Sequence, residues 1–168
     1  EHTSAFNFKS IFGSYPVSSM CSNDSMAILG DSLEILKTIK DNSINLIFAD
    51  APYNIGKDFG NNKDKWNSVN EYIHWCKQWL NECMRILRSD GTMFFMTATQ
   101  HMPYLDMYMS ECYNVLCRIV WTYDSSGVQS KKMFGSLYEP ILMVNKHEDS
   151  PYVFNSDAIM IEEKTGAT

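Results

Sequence analysis

The sequence lacks several features that would place it in a simple class of protein. No apolar run is long enough to span a bilayer, and the chain does not begin with the basic and then apolar segment of a signal peptide. Its five cysteines form no CxxC pair, and its four histidines show no metal-ligand spacing. These absences argue against a membrane protein, a disulfide framework and a metal site, and they favour a cytoplasmic location.

Positive charge is also scarce. Lys and Arg number 14 against 20 Asp and Glu, which gives a net charge of -6 at pH 7. Hydrophobic residues make up 45% of the 168 residues and charged residues 20%, values that are ordinary for one globular domain with a proper core. An extended basic surface is therefore not expected.

Strands and helices alternate along most of the chain. Strands are predicted over residues 25–29, 44–49, 92–97, 115–123 and 139–144, with a strand-like end at 152–161; helices are predicted over 31–40, 68–88 and 102–113. This alternation predicts an α/β fold with a mostly parallel sheet covered on both faces. The last two strands have no helix between them, which predicts an antiparallel hairpin at one edge.

Short polar motifs mark the ends of these elements. Asp31 is a good N-cap with Glu34 in the capping-box position, and Ser68 with Glu71 forms a second box. Ser89-Asp90-Gly91 is predicted to stop the second helix and to form a turn. Residues 54–67 are predicted to form a mobile loop, and residues 1–24 an N-terminal extension before a domain at 25–168.

The most informative residues follow the strand at 44–49. Asp50, Ala51, Pro52 and Tyr53 come directly after this apolar run, so a carboxylate lies at the carboxyl end of a strand beside a rigid turn. Ligands bind at that edge in open α/β sheets. An acid, backbone carbonyls and an aromatic ring in one turn can bind a flat heterocycle that carries an amino group.

This turn resembles motif IV of the DNA amino-methyltransferases, usually Asp-Pro-Pro-Tyr. The resemblance to the permuted (β-class) adenine methyltransferases continues over roughly residues 26–168. Its further segments are 29–36, the region of Trp66, 85–91, 119–127 and 138–142. It implies a Rossmann-like methyltransferase fold, S-adenosylmethionine as methyl donor and a flipped adenine of double-stranded DNA as substrate.

The resemblance also assigns roles to residues. Asp50 and the Ala51 carbonyl accept the two amino hydrogens, Pro52 shapes the turn and Tyr53 stacks on the base. Ala51 stands where the family usually has Pro; it keeps the carbonyl and loses only the fixed φ. Cofactor contacts are expected from Gly30, Asp31, Ser32 and Asp50, with Asp31 also serving as the N-cap.

DNA contacts are expected from two polar loops of the chain. Lysines can neutralise phosphates, and amide side chains can contact adenine edges. The candidate residues are Asn54, Lys57, Ser125, Gln129, Lys131 and Lys132. A solvated surface loop is the equally weighted alternative for the segment from Ser125 to Lys132, and the loop after Tyr53 either closes over the flipped base or is disordered. Tyr138 and Glu139, which open a strand, are interpreted as structural.

One part of the family pattern is missing. The permuted enzymes place a Phe-x-Gly-x-Gly cofactor loop after the catalytic turn, and this chain has none. The chain is therefore interpreted as an incomplete, catalytic portion of a methyltransferase that works with a complementary C-terminal half or as a homodimer. In a bacterial or phage cell it would be associated with the nucleoid.

Two alternatives stay open at this point. A cytosine-N4 methyltransferase more often has Ser in place of Asp50, so Asp50 favours adenine. A non-catalytic or split partner subunit with the methyltransferase fold would explain both Ala51 and the missing glycine loop.

Overall fold

The computed structural model describes residues 7–14, 19–58, 60, 64–124, 132 and 136–160. Two short 3-10 turns lie at Phe8–Ile11 and Ser156–Ala158. The strands are β1 (Ser19–Cys21), β2 (Met26–Ile28), β3 (Ile44–Asp50), β4 (Leu87–Met96), β5 (Asn114–Thr122) and β6 (Tyr138–Asn145), and the helices are α1 (Ser32–Thr38), α2 (Val69–Ile86) and α3 (Met102–Cys112). Within these ranges no helix is both long and apolar enough to cross a membrane.

The main sheet has the strand order β3-β4-β6-β5. β3 and β4 are parallel, whereas β6 is antiparallel to both β4 and β5. β3, β4 and β5 therefore run in one direction and β6 runs against them. The α/β fold with a mostly parallel sheet and an antiparallel edge hairpin is confirmed. The register pairs Asp50 with Met96 and Met96 with Ile141, so the end of β3 and the start of β6 share one edge of the sheet.

Helix α2 supplies most of the core because its apolar residues recur at helical spacing. Its buried side chains are Tyr72, Ile73, Cys76, Trp79, Leu80, Cys83, Met84 and Ile86. All of these except Ile86 form one cluster with Met93 and Phe95 of β4 and Leu142 of β6, together with residues of α3. The predicted N-caps are both present: Asp31 accepts from the Glu34 N–H, and Ser68 from the Glu71 N–H.

The sheet is not covered on both faces in the described part of the chain. Successive strand residues point to opposite faces, and on β3 Ile47 and Ala49 pack against the core cluster. Leu46 and Phe48 point the other way and are 62% and 63% exposed. The prediction of two covered faces is therefore wrong at β3, since the helices of the described residues pack on one face only.

The turn predicted at Ser89-Asp90-Gly91 is wrong, because these residues belong to β4. α2 passes directly into β4 because its C-cap, Leu87, is already extended. Ile44 pairs with Leu87 and Leu46 with Thr92, so residues 88–91 bulge opposite one residue of β3. A strand-like end at 152–161 is also wrong for residues 152–160, which form coil and a 3-10 turn capped by Asn155.

Arg85 ties α1 to α2. Its guanidinium donates to the carbonyl oxygens of Leu36 (2.9 Å) and Ile39 (2.8 Å) at the end of α1 and forms ion pairs with Glu82 and Asp41. A cation at the C-terminal end of a helix satisfies carbonyls that have no partner in the helix. This interaction sets where α1, and the turn before it, lie relative to β3.

The N-terminal segment packs onto the same region. The Gly13 N–H donates to the Thr38 carbonyl (2.7 Å) and the Lys40 N–H to the Ile11 carbonyl (2.8 Å). β1 and β2 form an antiparallel hairpin, so residues on both sides of the predicted boundary at 24 and 25 pair with each other.

The loop after Tyr53, predicted to be mobile, has internal structure in its described residues. The Asp64 carboxylate is 2% exposed. It accepts from the backbone N–H groups of Asn54 (2.7 Å), Ile55 (3.3 Å) and Lys57 (3.0 Å). Left-handed conformations at Asn54 (φ 55°) and Gly56 (φ 74°) turn these N–H groups toward one side. The loop is thus folded around one buried anion.

We expect Gly91→Ala to destabilise the bulge. A Cβ at this position would lie 2.8 Å from both the Asn45 carbonyl oxygen and Leu87 Cδ1. The overlap should lower the free energy of unfolding by about 1–3 kcal/mol, measured by urea denaturation. Gly13→Ala is the control, since its Cβ meets only the Thr38 carbonyl at 3.4 Å. Equal effects of the two variants would contradict the steric explanation.

Asp64→Asn should open the loop locally, because an amide nitrogen replaces one carboxylate oxygen and cannot accept a hydrogen bond. Hydrogen exchange at the Asn54, Ile55 and Lys57 amides is expected to accelerate by about 10-fold or more. Asp58→Asn is the matched control, since the exposed Asp58 accepts from the nearby Gly60 N–H and from no other backbone N–H of the described residues. Unchanged exchange at Asn54 and Lys57 in Asp64→Asn would show that the carboxylate does not organise the loop.

Candidate active site

Asp50 is the last residue of β3, and its exposed side chain follows Leu46 and Phe48 on the open face of that strand. Ala51 and Pro52 then lead the chain out of the sheet. Ala51 packs partly against the core cluster, while Pro52 is exposed. The predicted catalytic turn therefore lies at the carboxyl edge of the parallel pair, the place where ligands bind in open α/β sheets.

The Tyr53 ring turns back toward Asp50. Burial raises the pKa of Tyr53, and the charge of the Asp50 carboxylate and a hydrogen bond to it raise this pKa further. The hydroxyl therefore stays protonated and can donate to the carboxylate. The Tyr53 hydroxyl and the Asp50 carboxylate are thus neighbours in the turn.

A second carboxylate, Glu139, lies close to Asp50. Burial raises the pKa of Glu139; a hydrogen bond from Tyr123 (hydroxyl to Oε1, 3.5 Å) acts in the opposite direction, and the charge of Asp50 raises the pKa. The sequence analysis interpreted Glu139 as structural and did not predict its approach to Asp50. The signal was the predicted hairpin, because an antiparallel strand starts at the edge where its parallel neighbours end. Across the described ranges, no three His, Cys, Asp or Glu side chains are grouped to hold a metal ion.

The catalytic turn is also held from the core. The Tyr72 hydroxyl of α2 donates to the Pro52 carbonyl at 2.8 Å and lies 2.8 Å from Thr97 Oγ1. Tyr72 belongs to the apolar face of its helix, and this contact was not predicted from the sequence. A Tyr on such a face needs a partner for its hydroxyl, which was the available signal.

A cavity of about 450 Å³ opens beside Asp50. Gly30, Ser32 and Asp50 line it, as do the apolar residues Ile47 and Trp75. Three of the four residues predicted to bind the cofactor thus meet at one cavity, whereas Asp31 caps α1 through the Glu34 N–H (3.2 Å). Its size lies in the range of small-molecule sites, and its wall combines apolar surface with a few polar groups.

The candidate DNA-binding residues fall in different situations. Asn54 directly follows the turn, and its Oδ1 accepts from the Trp66 N–H at 3.0 Å. Lys57 is exposed on the loop organised by Asp64, and Lys132 is exposed as well. Ser125, Gln129 and Lys131 lie outside the described residues.

Comparison with known proteins identifies relatives of the whole region. A protein-family model described as DNA methylase matches residues 44–167. The chain is 46% identical over 146 residues to the DNA adenine methyltransferase YhdJ of Escherichia coli (strain K12), and the match covers 86% of this chain and 49% of that protein. It is 31% identical over 143 residues to the type II methyltransferase M.HpaI of Haemophilus parainfluenzae, covering 84% and 45% of the two chains.

Solved structures share the architecture. The PvuII DNA methyltransferase, described as cytosine-N4-specific, matches with a TM-score of 0.60 at 16% identity, over 80% of this chain and 52% of that one. A DNA modification methylase of Thermus thermophilus, TTHA0409, complexed with S-adenosyl-L-methionine, matches with a TM-score of 0.54 at 17% identity, over 77% and 56%. At these identities the likeness shows the fold alone.

The chain spans about half the length of the curated relatives it matches. The family match nevertheless begins at the first residue of β3 and includes the catalytic turn, α2, β4, α3 and the β5–β6 hairpin. The chain therefore belongs to the DNA methylase family.

Proposed function

We propose that the chain is the catalytic portion of a DNA methyltransferase that transfers a methyl group to the N6 amine of a flipped adenine. The observation that carries this proposal is the Asp50 carboxylate at the carboxyl edge of the sheet, followed by the Ala51 carbonyl in a turn held from the core. The 46% identity to a protein named as a DNA adenine methyltransferase supports adenine as the target. The catalytic portion would comprise residues 25–168, with residues 1–24 as an N-terminal extension.

The chemistry follows from the acceptors in the turn. The adenine amine is a poor nucleophile because its lone pair is delocalised into the ring. Asp50 and the Ala51 carbonyl would each accept one amino hydrogen, which lets the nitrogen pyramidalise and directs its lone pair outward. Positive charge develops on this nitrogen during transfer, and preorganised acceptors stabilise it. Asp50 is also placed to take the proton that the amine loses.

Glu139 would add to the same electrostatic effect. Its carboxylate lies near Asp50, so both charges favour a developing cation at the edge of the sheet. Tyr53 would exchange its contact with Asp50 for stacking on the base. Because the base offers an amino hydrogen to the acid, this exchange keeps Asp50 hydrogen-bonded in both states.

S-adenosylmethionine would supply the electrophilic methyl group. The residues that would hold it are Gly30, Ser32 and Asp50, which line the cavity beside β3, and Asp31 between the first two in the chain. The small residues at positions 30 and 32 leave room at the mouth of this cavity, and its apolar wall suits the flat adenosine. The donor and the amine would then meet at Asp50, where alignment lowers the barrier.

Double-stranded DNA is the proposed partner. Lys57, Lys131 and Lys132 would contact phosphates, and Asn54, Ser125 and Gln129 would contact bases or sugars. With a net charge of -6, these few contacts cannot supply the usual basic surface. A complementary C-terminal half, or a second copy of the chain, would supply the rest and would cover Leu46 and Phe48 on β3. Such a protein would act in the cytoplasm, at the nucleoid.

Asp50→Asn should abolish most of the activity. The full natural protein that contains this chain would be assayed for methyl transfer from labelled S-adenosylmethionine to duplex DNA, with the methylated base identified by mass spectrometry. We expect N6-methyladenine and a fall in kcat on the order of 100-fold or more in the variant.

The control for this experiment is Asp149→Asn, an exposed acid after β6 at the opposite edge of the sheet. It should leave the rate unchanged. N4-methylcytosine as the product would overturn the choice of base, and full activity of Asp50→Asn would overturn the assignment of the site.

Ala51→Pro tests the role of the carbonyl at this position. Pro keeps the carbonyl and restores the fixed φ that the family usually has there, and Ala51 is not among the residues with positive φ. The rate of methyl transfer should stay equal or rise. Loss of activity in a folded Ala51→Pro protein would mean that the turn does not act through its backbone as proposed.

A further inference from the structure

A chain of hydroxyl groups connects the core to the catalytic turn. The Pro52 carbonyl can only accept a hydrogen bond, so the Tyr72 hydroxyl must donate to it (2.8 Å). The single proton of Tyr72 is then used, and the contact of 2.8 Å with Thr97 requires Thr97 Oγ1 to be the donor. The hydrogen bonds therefore run in one direction, from Thr97 to Tyr72 to Pro52.

Tyr72 is held rigidly in place. Its side chain is 0% exposed. Its ring lies 5.0 Å from the Trp66 ring, 6.1 Å from that of Trp75 and 4.7 Å from that of His101. Burial raises the pKa of Tyr72, so the hydroxyl keeps the proton that it donates. A rigid, protonated donor fixes the position of the carbonyl that it binds.

Fixing the Pro52 carbonyl also orients the peptide before it. The ring of Pro52 locks its own φ, so once its carbonyl is held, only rotation about ψ of Pro52 can still turn the plane of the Ala51–Pro52 peptide. The Ala51 carbonyl oxygen belongs to that plane. Ala51 has no ring to restrict its own φ, so this chain depends on an external contact for the rigidity that Pro at this position would provide.

We propose that Tyr72, oriented by Thr97, is a positioning residue that aims the Ala51 carbonyl and Asp50 at the target amine. This inference rests on the proposed function and adds to it the residue that replaces the missing Pro. Tyr72 touches neither substrate nor cofactor and acts through the backbone of the turn.

The first test uses Tyr72→Phe and Thr97→Val in the full natural protein. Both variants keep the packing and remove one hydroxyl. We expect kcat to fall about 10-fold in Tyr72→Phe and less in Thr97→Val, with KM for S-adenosylmethionine and for DNA within about twofold of wild type. The matched control is Tyr108→Phe, which removes another tyrosine hydroxyl, one that donates to Asn81 at 2.6 Å.

Hydrogen exchange supplies a readout that does not need activity. The Tyr53 and Asn54 amides should exchange faster in Tyr72→Phe than in wild type or Tyr108→Phe. If exchange is unchanged, the clamp does not exist and the inference is overturned. An inactive wild-type protein would instead overturn the proposed function, so the two failures are distinguishable.

The decisive test combines Tyr72→Phe with Ala51→Pro. If the clamp substitutes for a fixed φ, Pro at position 51 should restore most of the rate lost in Tyr72→Phe. If Tyr72 only supports the packing, the rate effects of Tyr72→Phe and Ala51→Pro will multiply, and Pro at position 51 will not restore the rate. That result would overturn the inference. Should Tyr72→Phe fail to fold, the same cycle with Thr97→Val gives the answer.

Discussion

The parallel pairing of β3 with β4 organises the site, because it brings the ends of these two strands to one edge. Helix α2 connects them and packs its apolar face on the sheet that they form. Asp50 ends the first strand, and Thr97 follows the second. The core residue Tyr72 lies between them and bonds to both segments. The packing that stabilises the domain is thus also what holds the catalytic turn.

Negative charge is concentrated where the proposed reaction develops positive charge. Glu139 reaches the edge beside Asp50 because β6 runs against its neighbours and starts where β3 ends. Asp64 has a different task, since it accepts from backbone N–H groups and shapes the loop after Tyr53. Acidic residues that look alike in the sequence therefore have different roles. Glu139 would add negative charge at the proposed site, whereas Asp64 stabilises a loop.

The open side of β3 agrees with the length of the relatives. Leu46 and Phe48 are apolar, neighbour Asp50 on one face and are more than half exposed. Large apolar side chains on a strand of a central sheet are normally covered. The chain spans about half the length of the relatives it matches, and the exposed face lies beside the proposed cofactor cavity.

The sequence by itself determined the elements and the turn, because these depend on local patterns. The spacing of apolar residues predicted α2, the caps Asp31 and Ser68 marked the helix starts, and Asp50-Ala51-Pro52-Tyr53 marked the turn at the carboxyl edge of the sheet. Tertiary structure alone decided the bulge at 88–91, the burial of the Asp64 carboxylate among backbone N–H groups, the approach of Glu139 to Asp50 and the hydrogen bond from Tyr72 to Pro52. Each of these brings together residues that are distant in the sequence, through strand register or helix packing. Such contacts produce no periodic pattern in the sequence. A Tyr on an apolar helix face predicts burial, whereas the partner of its hydroxyl depends on how that helix lies on the sheet.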